Sequence, residues 1–189
     1  MLNNQRDHFD AVYAADPDPW GYRLSWYEQR RYSLLCAMLH KPTYERGFEP
    51  GCSNGTLTSA LAARCTTLEA WDGSNEAVQL TRDAVLQHSN VSVRHSSVPT
   101  HWPTGSFDLI VLADFLYYLP PDDIHEVLAR TVGSAQPGCM VLAGHWRGHA
   151  DDFVTAGGDA VHAILNDVLG PPNVGNYRDA DQTISGWTL

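Results

Sequence analysis

Phe48-Glu49-Pro50-Gly51-Cys52-Ser53-Asn54-Gly55, running on through Thr56 to Arg64, is the stretch that decides the fold. A strand end turns acidic, passes through a tight glycine-bearing turn and opens into a helical segment. That order suits a nucleotide-type ligand, because small residues let the backbone approach it and the first N–H groups of a helix face it. Tight turns also take glycine for their own geometry, so a purely structural reading stands beside the functional one. Downstream, Leu68-Glu69-Ala70-Trp71-Asp72 reads as a second strand ending in an acid. Asp72 lies about twenty residues on, where a ribose-binding carboxylate belongs.

The spacing discriminates between cofactors. A dinucleotide loop has the form G-x-G-x-x-G, whereas here Gly51 and Gly55 flank Ser53. Glu49 ahead of them would repel a pyrophosphate but tolerates the sulphonium and amino group of S-adenosylmethionine. Glu49, Gly51, Cys52, Ser53, Asn54 and Gly55 are therefore expected around the methionine portion of that cofactor, with Asp72 and Gly73 at its ribose.

The chain has 189 residues and a formal charge of −10, which disfavours the polyanions nucleic acid and anionic membrane as partners. A neutral or cationic small substrate fits better. Its length suits one domain, 1–189, with an N-terminal helical arm over 1–40 and an α/β core over 45–189. Cys36, Cys52, Cys65 and Cys139 are widely spaced and read as free thiols in a reducing compartment. The stretch Met1 to Asp7 is polar, without the apolar core of a signal peptide, and Leu109 to Leu119 is too short and interrupted by Asp114 to span a bilayer. A cytoplasmic protein is expected; its oligomeric state is left open.

Asp7 to Ala15 can form a helix with Phe9, Val12 and Tyr13 on one face. Asp16-Pro17-Asp18-Pro19-Trp20-Gly21 breaks it, and Trp26 to Leu39 reads as a helix. Trp20 and Tyr27 are either core or part of a lid over the cofactor. From Arg46 strands and helices alternate, with strands expected at 46–49, 67–72, 91–95, 107–113 and 139–145. Helices are expected at 56–63, 75–87, 121–131 and 159–169, with Asp122 or Asp123 capping the third and Gly138 ending the loop before the fifth strand. Two short strands, 173–177 and 182–189, are joined so closely that they must be antiparallel.

Asp18-Pro19-Trp20, Tyr27-Glu28-Gln29-Arg30-Arg31-Tyr32, Glu49-Pro50-Gly51-Cys52, Phe107-Asp108-Leu109-Ile110-Val111 and Leu116-Tyr117-Tyr118-Leu119 together resemble NodS-type methyltransferases. Gly158-Asp159-Ala160-Val161-His162-Ala163-Ile164-Leu165 fits the same pattern, so the resemblance runs from about residue 7 to 170. It implies a class I methyltransferase fold, Rossmann-like and α/β, whose seven-stranded, mostly parallel sheet ends in an antiparallel hairpin. It also implies S-adenosylmethionine as cofactor and methyl transfer to an amine. In the family's namesake that amine belongs to a deacetylated chitin oligosaccharide; here the expected acceptor is an amine on a small molecule or amino sugar. Other readings are O-methylation, a catalytically degenerate cofactor-binding protein, and a nicotinamide oxidoreductase, against which the missing third glycine counts.

Two residues depart from the pattern. Ser53 stands where such loops often have glycine or alanine, and Ser97 follows the third strand where an acid commonly accepts from the adenine amino group. A hydroxyl is the weaker acceptor. Ser97 and Val98 are expected to flank adenine, and Ala113 and Phe115 are also expected at the cofactor. Arg31 is either the partner of the cofactor carboxylate or an exposed helical arginine.

Asp114 and His145 end the fourth and fifth strands, at the rim where open α/β sheets hold ligands, and are the candidate bases; Asp114 could equally hold a cationic amine or cap the following turn. Tyr117, Tyr118, Trp146, Arg147 and His149 are the candidate acceptor contacts. His145 and His149 have a metal-like spacing, but Gly148 between them argues against the helix it needs, and no metal is expected. Presenting an ordinary alkylammonium as free amine at pH 7 costs roughly 4–5 kcal/mol from a pKa near 10.4, which is why a base is sought.

Overall fold

In this computed structural model residues 3–189 are described, with side chains from Gln5 onward, so Met1 and Leu2 of the polar N-terminal stretch lie outside the described residues. Two helices, α1 (Asn3–Ala15) and α2 (Trp26–Ala37), precede the sheet. Then follow β1 (Tyr44–Pro50), α3 (Thr56–Ala62), β2 (Cys65–Asp72), α4 (Asn75–Ala84), β3 (Val91–His95) and β4 (Phe107–Ala113). A 3₁₀ turn (Leu116–Tyr118) leads to α5 (Pro121–Ser134), β5 (Ala135–Trp146), α6 (Gly157–Leu169), β6 (Gly175–Arg178) and β7 (Gln182–Thr188).

The sheet has seven strands in the order β3-β2-β1-β4-β5-β7-β6. The neighbouring pairs among β1 to β5 are parallel, whereas β7 lies antiparallel between β5 and β6. This is the expected class I outline. The chain winds outward from β1 through β2 to β3, then returns to place β4 on the other side of β1. Between the carboxyl ends of β1 and β4 the sheet therefore has a switch point, where the following loops diverge and leave a crevice.

β4 is buried along its whole length. Ile110 and Leu112 pack with Ile124, Val127 and Leu128 of α5 and Val161 and Leu165 of α6, while Leu109 and Val111 pack with Leu35 of α2 and Leu57 and Leu61 of α3. That alternation follows the two-residue period of a strand. Phe107 breaks it by joining the Ile110 side, because the register shifts between Phe107 and Leu109. On the partner strand Gly138 sits at φ +82 inside β5, so the residue expected to end a loop instead absorbs that irregularity.

Another local expectation is corrected at α5. Neither Asp122 nor Asp123 caps it: Pro120 is at the N-cap and Pro121 occupies the first turn. Proline lacks the N–H that a cap would satisfy, and the two acids lie in the first turn, where the helix dipole favours negative charge. α4 has the side-chain cap, with the Ala77 N–H donating to Ser74 Oγ at 3.2 Å.

Candidate functional site

The turn after β1 is built from left-handed residues: Gly51 at φ +75, Ser53 at φ 56 and Gly55 at φ +78. Their reasons differ. A Cβ on Gly51 would stand 2.9 Å from the Phe115 Cβ, across the mouth of the crevice. A Cβ on Gly55 would stand 2.8 Å from the Thr81 Cα of α4, so this glycine serves helix packing and does not line the crevice. Ser53 tolerates its unusual backbone with two anchors: its N–H donates to Asp72 Oδ2 at 3.0 Å, and its Oγ accepts from the Tyr13 hydroxyl at 2.7 Å.

Asp72, at the end of β2, also accepts from the Ser74 N–H at 2.9 Å. Burial pushes its carboxyl up to about 6 despite the backbone N–H groups of Ser74 and Ser53 that favour the charged form. Glu49, at the end of β1, is buried with Oε2 unpartnered among the described residues, and burial pushes it up to about 8 against the opposing pull of the nearby Thr58 hydroxyl.

These two carboxylates border a crevice of about 810 Å³, counting its open mouth. Of the expected cofactor residues, Trp20, Gly51, Cys52, Ser53 and Gly73 line it, as do Ser97, Val98, Ala113 and Phe115. Asn54 does not: its amide donates to Asp18 Oδ1 at 2.8 Å and its Oδ1 accepts from the Thr56 hydroxyl at 2.8 Å, which ties the arm to the start of α3. Phe9 and Tyr13 of α1 close the crevice from above, together with Tyr22. Their aromatic spacing was legible as a helix face but gave no hint of which surface that face would cover.

A second cavity of about 690 Å³, also counting its mouth, adjoins the first, and Trp20, Tyr22 and Tyr118 line both. Tyr27 and Arg31, expected at the cofactor, lie here instead, beside Glu28, Tyr117, Trp146 and Phe153. Tyr27 Oη and Arg31 Nε are buried without a hydrogen-bond partner among the described residues.

Arg31 is the hub of this cavity. Its Nη1 donates to Glu28 Oε2 at 2.7 Å, and its Nη2 donates to both oxygens of Asp114 at 2.7 and 2.6 Å. Asp114 also accepts from the Tyr117 hydroxyl at 3.1 Å and from the Trp146 N–H at 2.8 Å. Four bonds therefore occupy the carboxylate expected to act as a base, and its backbone sits at φ 50 to make them. Asp114 borders the cofactor crevice as the clasp that joins α2, β4 and β5.

His145 lies beneath the rim and lines neither cavity. It is fully buried, its Nδ1 is 3.2 Å from His162 Nε2, and His162 Nδ1 is 3.0 Å from Ser185 Oγ. Burial holds His145 well below the usual imidazole range and His162 down to about 4, so this pair stays neutral near pH 7. Arg147 and His149 are also outside both cavities. Arg147 uses its guanidinium on Asp159, at 2.9 and 3.1 Å, and the His149 ring packs 6.3 Å from that of Phe153. Among the described residues no group of three or more His, Cys, Asp or Glu could hold a metal ion, and no helix is long and apolar enough to cross a membrane.

With this geometry, a family model for nodulation protein S (NodS) matches residues 4–166. The nodulation protein S of Bradyrhizobium diazoefficiens is 30% identical over 161 residues, covering 80% of this chain and 75% of that protein. That of Rhizobium tropici is 31% identical over 167 residues, covering 82% and 67%. Among solved structures, a Pseudomonas syringae protein classed as a methyltransferase superposes with a TM-score of 0.78 at 34% identity, over 87% of this chain and 100% of that one. The N-methyltransferase NodS from Bradyrhizobium japonicum WM9, in complex with S-adenosylhomocysteine, has the same fold, with a TM-score of 0.80 at 24% identity over 98% of each chain.

Proposed function

This chain belongs to the NodS family of S-adenosylmethionine-dependent methyltransferases, and we propose that it methylates the nitrogen of an amine carried on a small molecule or amino sugar. One observation carries the reading: a cavity walled by aromatic rings and acidic groups opens beside the cofactor crevice and shares three residues with it.

The crevice fits S-adenosylmethionine on its own features. The bare backbone at Gly51 leaves room that a side chain would fill, and the orphaned Glu49 Oε2 suits a cationic amino group. Asp72, Ser97 and Val98 line the crevice, and on this reading Asp72 accepts from the ribose hydroxyls while Ser97 and Val98 border adenine. When bound, the cofactor supplies an electrophilic methyl on a sulphonium. The chain's own part is to hold the acceptor, keep water out and remove a proton.

Tyr22, Trp20 and Tyr118 stand where the two cavities meet, and their large rings exclude water and orient what enters. Alignment of this kind supplies much of the rate in displacement reactions, with reacting atoms held about 3–3.5 Å apart. The acceptor side has two acids, Glu28 and Asp114, around one guanidinium, Arg31. Its excess of negative charge favours a cationic group, and aromatic faces attract one as well.

The test is transfer from methyl-labelled S-adenosylmethionine to matched acceptors: glucosamine against glucose, and ethanolamine against ethylene glycol. Label on the amine nitrogen and none on the alcohols is the expected result. Label on the alcohols alone would contradict the reading.

A further inference from the structure

We propose that Glu28 receives the acceptor's ammonium group and takes its proton, which makes it a catalytic residue of the methyl transfer. The inference rests on the amine reading above and adds the group that prepares the nucleophile.

Among the described residues Glu28 and Asp152 line the acceptor cavity and Asp114 stands beside it, and of these Glu28 alone is both buried and left with a free oxygen. Asp114 makes four hydrogen bonds, including both oxygens to Arg31. Asp152 is paired with His8, 3.3 Å away, and its side chain is 37% exposed, so it is solvated at the rim. Glu28 lines the cavity with its side chain only 10% exposed. Arg31 Nη1 fixes Oε2 at 2.7 Å, and Oε1 makes no hydrogen bond among the described residues. One oxygen is thus held by the protein and the other is left for a ligand.

The surroundings suit the proton transfer. Tyr27, Trp146, Tyr117 and Phe153 give an ammonium aromatic faces in place of water. Burial raises the Glu28 carboxyl above its ordinary range, against the opposing pull of Arg31, and Asp114 adds to the rise. A stronger base results, closer to the operating pH, where general-base catalysis is most effective. The unpartnered Arg31 Nε and Tyr27 Oη remain to donate to an oxygen next to the amine.

The chemistry balances simply. An N–H bond of R–NH3+ breaks, its electron pair stays on nitrogen and the proton goes to Glu28 Oε1. That pair forms the new N–C bond while the C–S bond to the methyl breaks, its electrons remaining on sulphur. R–NH2+–CH3 leaves, and Glu28 passes its proton to solvent.

Glu28→Gln keeps the shape and an oxygen for Arg31 but cannot take a proton. With ethanolamine and glucosamine as acceptors, we expect its kcat to fall about a hundredfold or more at pH 7. The deficit should narrow as pH rises toward the acceptor's own pKa, where the amine is already free. Calorimetry on the S-adenosylhomocysteine-loaded protein at pH 7 should show these amines binding at least tenfold more weakly to the variant. Glu28→Asp, which keeps the charge, should recover part of both losses. The groups facing Glu28 whose charge must be watched across this range are Arg31 and Tyr27 on α2, Asp18 and Tyr22 in the 16–25 loop, Asp114 and Tyr117 after β4, and Asp152.

Wild-type amine methylation with a Glu28→Gln deficit that is absent, or constant from pH 7 to the acceptor pKa, would overturn the role of Glu28 and leave the amine reading intact. Wild-type protein that methylates none of the amines but does methylate alcohols would overturn both.

Discussion

Glu49 is the residue whose chemistry is most out of balance. It is buried with Oε2 unpartnered among the described residues and is pushed up to about 8, so at pH 7 it is largely protonated. Its folded pKa is raised, so without a cationic partner its contribution to stability falls as pH rises from the ordinary carboxylate range toward 8. A cationic amino group in the crevice reverses this by giving the carboxylate a partner. Cofactor binding at pH 7 should therefore release a large fraction of a proton. Titration with S-adenosylhomocysteine in buffers of different ionisation enthalpy should give a heat that depends on the buffer, and Glu49→Gln should lose that dependence. A wild-type heat independent of the buffer would contradict the pairing. Asp72 adds little to this signal, because at about 6 it is already mostly ionised.

At the level of the elements, the arm and the glycine turn work together. α1 is fastened by Tyr13 Oη to Ser53 Oγ and by Ser74 Oγ to Asp10, at 2.7 and 2.6 Å, and Asn54 holds Asp18 of the following loop. With Phe9 and Tyr13 over the crevice, the arm must give way for a ligand to enter. Cleavage by a nonspecific protease around Pro17–Gly21 should be fast in the empty protein and slowed by S-adenosylhomocysteine. Tyr13→Phe should quicken it, and equal rates with and without ligand would contradict a closing arm. Gly55 belongs to the turn's other side. Gly55→Ala combines a left-handed backbone with a Cβ 2.8 Å from the Thr81 Cα and should destabilise the fold by about 1–3 kcal/mol, measured by urea unfolding. An unchanged midpoint would mean that α3 and α4 part without cost.

Across the whole molecule, what was legible from sequence divides along a physical line. Strand and helix alternation shows in local periods, and all seven strands lie near their expected places. The cofactor turn is legible because a left-handed backbone demands glycine at Gly51 and Gly55, and Asp72 because its distance from that turn is set by one helix and one strand. Ser53 shows the limit: its departure from glycine is visible, but its partner Tyr13 is 40 residues away. The second cavity was not legible for the same reason. Arg31 meets Asp114 across 83 residues, and that contact turns an expected base into a clasp. His145 sits at the end of its strand as expected, yet His162 and Ser185 draw it inward, and no local signal announces that. Glu28 stood in plain view three residues before Arg31, but its partner on the same helix says nothing of the cavity both face.

Calorimetric titration with S-adenosylhomocysteine decides whether Asp72 and the β1 turn hold the cofactor as proposed. The wild-type protein should bind with micromolar affinity, and Asp72→Ala should weaken binding tenfold or more while keeping its folded circular dichroism spectrum. Absence of binding by the folded wild-type chain, or equal binding by the variant, would contradict the account.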